Sequence, residues 1–128
     1  MKRHWIEYTE DFTPGPLTYW VHIPSKSDPS QLIPPTPAWV PGKGYPTYYV
    51  EIDGFTFRFA SRDELQVCID VLERKLLPNT QRLAQERGGD PNEHWLRKMP
   101  DETKPWRYRA KAVKYLEKAL AEFEKEKG

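Results

Sequence analysis

A chain of 128 residues, 30% of them charged and 13% aromatic, is long enough for one hydrophobic core, and its composition excludes both a disordered charged tail and a membrane-embedded protein. Twenty Lys and Arg against nineteen Asp and Glu leave a formal net charge of +1, which excludes a strong overall pull toward nucleic acid or anionic lipid. The one cysteine, Cys68, excludes an intramolecular disulfide, no apolar run follows the start Met1-Lys2-Arg3-His4-Trp5 as a signal peptide would need, and no stretch free of Asp, Glu, Lys and Arg, Phe12 to Ser25 included, is long enough to span a bilayer, so the cytoplasm is the default location.

In chain order, Arg3 to Tyr8 reads as a first strand. Thr13-Pro14-Gly15-Pro16 then makes a turn into Leu17 to Ile23, where Leu17, Tyr19, Val21 and Ile23 alternate with Thr18, Trp20 and His22 as in a second strand. From 24 to 46, prolines at 24, 29, 34, 35, 37, 41 and 46 forbid a central strand or helix interior. This is an extended loop, and Leu32, Ile33, Trp39 and Val40 make it too apolar for a free linker, so it is expected to lie pinned against the domain.

Thr47 to Phe59 is a β-hairpin about Asp53-Gly54, a dipeptide that accepts the positive φ angles of a type I′ turn. A two-residue loop pairs Ile52 with Phe55, Val50 with Phe57 and Tyr48 with Phe59, placing all six on one face. The other face is polar, and Glu51 can reach Arg58 diagonally. Ser61 and Glu64 form a capping box, after which Leu65, Cys68, Ile69, Leu72 and Leu76 recur at helical spacing up to Pro78. A shorter helix follows from about Asn79 to Arg87, stopped by Gly88-Gly89. Asp90-Pro91-Asn92-Glu93 then opens a third helix with His94, Trp95 and Leu96. Pro105 starts the last helix, in which Trp106, Val113, Leu116, Leu120 and Phe123 share one stripe and Arg107, Lys111, Lys114 and Lys118 the opposite one. Arg109 falls within the apolar stripe and must snorkel out or meet a carboxylate.

Strands before helices predict an α+β fold: a small antiparallel sheet of about four strands with the C-terminal helices packed on one face. Residues 1–128 read as a single domain, strand-rich over 1–60 with the proline-rich loop at 24–46, and helical over 61–127.

The stretches PSQLIPPTPAWVPGKGYPTYYVEIDGFTFRF (29–59) and HWLRKMPDETKPWRYRAKAVKYL (94–116) resemble small proteins of proteobacterial genomes, some among mobile or phage-derived genes. The resemblance spans the chain. It implies a bacterial accessory protein, and carries neither a site nor a reaction.

The best functional candidate is the basic stripe Arg107, Lys111, Lys114, Lys118, with Arg97 and Lys98 upstream. Such spacing can track phosphates while Tyr108, Tyr115 or Trp95 stack on bases, although it is also the ordinary solvated side of an amphipathic helix. Pro34-Pro35-Thr36-Pro37 has a P-x-x-P spacing, which serves as a recognition segment or as a rigid loop anchored by Trp39. His4, His22 and His94 lack metal-ligand spacing, and Cys68 lies in an apolar stripe, so no metal or cofactor is expected. His22 could pair with Glu7 or Glu51 for acid/base chemistry, but neither a nucleophile elbow nor a phosphate loop accompanies them.

The expectation is a non-enzymatic binding protein with a macromolecular partner. A protein is favoured, a second copy of the chain included, anchored by an apolar patch around Trp39 or Trp20. Nucleic acid on the basic helix is the alternative, and a small enzyme with a His/carboxylate pair the second.

Overall fold

The structure is a computed structural model that describes residues 1–87 and 89–125. The expected stop at Gly88 and the end of the last helix beyond residue 125 lie outside the described residues.

Asp53 (φ 48°) and Gly54 (φ 91°) adopt left-handed backbone and join strands β4 (Tyr45–Ile52) and β5 (Phe55–Phe59) in the register expected from the turn. Tyr48, Val50, Ile52, Phe57 and Phe59 are buried on one face, where helices α2 (Arg62–Leu72) and α5 (Trp106–Lys125) cover them. Strand β1 (Lys2–Thr9) pairs antiparallel with β4 along its whole length, from Lys2 opposite Ile52 to Thr9 opposite Tyr45. The sheet therefore has three strands, in the order β1-β4-β5.

The expected second strand is not there. Thr18–Val21 is one helical turn, α1, and only Ile23–Pro24 extends, as β2, to pair with β3 (Leu32–Ile33) in a separate two-stranded ribbon. Leu17, Thr18, Val21 and His22 are the buried positions, an i, i+1, i+4, i+5 pattern that belongs to a helix. Two of the four are polar, which is why the apolar residues alone read as alternation.

Helix α2 ends at Leu72 rather than continuing through Leu76, which is 88% exposed. Arg109, reaching from α5, explains the stop. It is buried, and its guanidinium donates to the carbonyl oxygens of Lys104 (2.6 Å), Leu72 (3.0 Å), Arg74 and Lys75 (3.0 Å). It neither snorkels out nor meets a carboxylate, the two expected outcomes; its partners are carbonyls. Leu72 is the last residue of α2 and Arg74 and Lys75 follow it, where unpaired carbonyls and the negative end of the helix dipole favour a cation. Trp106 leaves its apolar stripe partly exposed, with its ring 5.1 Å from the Arg109 guanidinium.

Beyond α2, Asn79 caps α3 (Thr80–Arg87) by accepting from the Gln81 N–H at 2.8 Å. A 3-10 turn (Pro91–Glu93) then leads into α4 (Trp95–Lys98), and a second one (Asp101–Thr103) precedes α5. Among the described residues no helix is long and apolar enough to cross a membrane.

Replacing Arg109 with leucine should strand these carbonyls. We expect a loss of about 3 kcal/mol, read as a lower urea midpoint; an unchanged midpoint would show that the guanidinium does not hold the end of α2.

Candidate functional site

The densest chemistry lies at the start of α2. Ser61, extended at the N-cap, accepts from the Glu64 N–H at 3.1 Å, as the S-x-x-E spacing predicts. The glutamate does not return to the Ser61 N–H. It turns inward, and Oε1 accepts from the Ala60 N–H (3.1 Å) and the Thr18 hydroxyl (3.0 Å), while Oε2 accepts from the Ser61 hydroxyl (3.1 Å). His22, placed inside by the α1 turn, sets Nε2 at 2.8 Å from Ser61 Oγ and 3.2 Å from Glu64 Oε2. Its Nδ1 lies 2.6 Å from the Pro34 carbonyl oxygen. That oxygen can only accept, so Nδ1 carries a proton and donates. The Thr18 oxygen in turn accepts from the Gly15 N–H at 2.7 Å.

His22, Ser61, Glu64 and Thr18 are all buried. Burial is the main influence on Glu64 and raises its carboxyl above the ordinary range, against the hydrogen bonds from Ala60, Thr18 and Ser61 and the charge of His22. A histidine and a carboxylate do meet, but the carboxylate is Glu64. Glu7 instead accepts from the Trp5 indole at 3.3 Å, and Glu51 pairs with Arg3 at 2.5 Å rather than with Arg58.

An open cleft of about 530 Å³ runs beside this cluster, lined by Pro35, Pro37, Tyr48, Ser61, Arg62, Asp63, Gln66, Leu120 and Glu124. Of the four buried polar side chains only Ser61 borders it. The serine oxygen is engaged by His22 and by the Glu64 amide, so the arrangement braces three chain segments. Among the described residues every buried side-chain nitrogen and oxygen has a partner, and no three His, Cys, Asp or Glu gather as a metal ion would require. Cys68 is buried, and desolvation pushes its thiol far up, away from the thiolate.

The structure separates the sequence's binding candidates. Arg97, Lys98, Arg107, Lys111, Lys114 and Lys118 are exposed. Lys98 pairs with Glu93 at 2.6 Å, and Lys111 lies 3.5 Å from Asp53. The aromatics meant to accompany them are engaged elsewhere: Trp95 is buried in the core, Tyr108 donates to the Ile52 carbonyl at 3.1 Å, and the Tyr115 hydroxyl is 2.7 Å from His4 Nδ1. Trp20 is half-buried, its ring centroid 4.6 Å from that of His94.

Trp39 is different. It is 46% exposed, with its ring edge-on to Tyr45 at 5.5 Å. On the same proline-rich segment Ile33 is 61% exposed, and its cross-strand partner Ile23 is 38% exposed. Side chains directly opposite in a two-stranded ribbon share a face, so the two isoleucines form one apolar surface. Sequence reasoning missed Ile23 because its strand assignment put that residue inside.

No family model, no curated protein and no solved structure matches the chain.

The raised carboxyl predicts a pH dependence. Above about pH 4.3, the ordinary glutamate value, folded Glu64 keeps a proton that the unfolded chain has released. Wild-type stability relative to Glu64→Gln should therefore fall as pH rises from there through the raised value. Urea denaturation across pH checks it; the opposite slope would mean that the charge of His22 outweighs burial.

Proposed function

We propose that this is a non-enzymatic bacterial accessory protein that works by binding another protein through its proline-rich segment. The observation that carries the reading is the placement of Ile23, Ile33 and Trp39. All three are exposed on or beside a segment whose backbone is tied from behind, at the Pro34 carbonyl, to buried His22. Large apolar side chains on a surface that is already ordered lose little entropy on binding, which is what a protein partner exploits. The cis Ile33-Pro34 bond lies within this segment.

The nucleic-acid reading is weaker. Its cations are exposed, but without the stacking aromatics they leave only a phosphate-tracking stripe. The enzyme reading is weaker still: of the two histidine–carboxylate pairs among the described residues, His22–Glu64 is sealed inside and His4–Glu122 fastens β1 to α5.

The test compares two variants in cross-linking capture from a bacterial lysate. Ile33→Asp combined with Trp39→Ala should lose at least one protein that the wild type retains, while Arg107, Lys111, Lys114 and Lys118 all changed to Ala should keep it. Identical captures from wild type and the apolar variant would refute this reading. Fluorescence anisotropy with single- and double-stranded oligonucleotides across a salt series should show no tight binding; strongly salt-dependent binding lost in the quadruple variant would favour the basic helix instead.

A further inference from the structure

We propose that β1 is a dimerisation edge, on which a second copy of the chain adds its own β1 to make one continuous six-stranded sheet. In the order β1-β4-β5, β1 has a strand neighbour on one side only among the described residues. It is eight residues long and contains neither proline nor glycine. Proteins usually blunt such an edge with a proline, a bulge or a very short strand. Among the described residues no backbone hydrogen bond reaches Lys2–Thr9 other than those of the β1–β4 ladder. The edge therefore presents a row of unpaired donors and acceptors.

The occupant follows from the charge pattern. Two copies of one strand meeting antiparallel about a two-fold axis pair residues of like parity, and a register centred on Trp5 sets Arg3 opposite Glu7 of the other copy, twice. Each residue has capacity to spare. Arg3 uses Nε on Glu51, with its guanidinium carbon 4.8 Å from the centroid of Trp5, which leaves the terminal nitrogens available. Glu7 receives the Trp5 indole N–H on Oε2, which leaves Oε1. Trp5 between them is stacked on Tyr49, centroids 5.2 Å apart and planes 7° apart, so the centre of the edge is already ordered. The strand is thus complementary to itself, with a cation, an aromatic and an anion at alternate positions.

Sedimentation velocity on the full chain over a concentration series tests this. Dimer is expected for the wild type. Arg3→Glu and Glu7→Arg should each raise the dimer dissociation constant about tenfold or more, since two cross-strand pairs become repulsive. The double variant R3E/E7R should recover the dimer, because the reversed pairs are again opposite in sign. Hydrogen exchange provides a readout that does not depend on any substitution: amides of residues 2–9 should gain protection in wild-type protein as concentration rises. A monomer at every concentration would overturn the proposal, as would a dimer indifferent to both charge changes. Ile33→Asp with Trp39→Ala should leave this dimer intact; its loss there would place self-association on the proline-rich segment instead.

Discussion

Three segments that would otherwise have little reason to meet are joined by one buried carboxyl. Glu64 receives hydrogen bonds from Ala60 at the end of β5, from Thr18 on α1 and from Ser61 at the head of α2, with His22 beside it. Burying such a group without partners would cost several kcal/mol, so each contact is one the cluster can hardly do without. Through His22 the same junction reaches the Pro34 carbonyl and fixes where the proline-rich segment departs. The placement of α1, the ribbon and the exposed apolar residues follows from that one site.

A second constraint operates at the other end of α2. Ser61 caps its first turn from within the sequence, while the carbonyls of its last residue, Leu72, and of Arg74 and Lys75 just beyond are met by Arg109 from α5. The helix is thus held at one end by local capping and at the other by a side chain 37 positions beyond Leu72. The two devices together lock α2 and α5 into the layer that covers the sheet, with β1 fastened to α5 by His4 between Tyr115 and Glu122.

What could be read from the chain was what local chemistry decides. Asp53-Gly54 set the hairpin register, the S-x-x-E spacing set the start of α2, and the apolar spacing of Val113, Leu116, Leu120 and Phe123 set the inner face of α5. What could not be read depended on partners distant in sequence. Thr18 and His22 are inside because Glu64 is there to receive them, so hydropathy alone turned a helical turn into a strand. Leu76 looked like the next position of a stripe whose helix a remote arginine ends at Leu72. Among the binding candidates the basic residues proved exposed as spacing implies, whereas Trp95 proved internal, because a tryptophan in the first turn of so short a helix gives no sign of which way its ring faces.

The His4–Tyr115 contact links residues 111 positions apart, and it has a consequence for biosynthesis. During translation the greasy face of the sheet is made long before the helix that shields it. Non-local closure of this kind slows folding and leaves the nascent chain prone to association. The interval between synthesis of β5 and of α5 is when that face is least shielded, and slower elongation across residues 60–105 would lengthen that exposure.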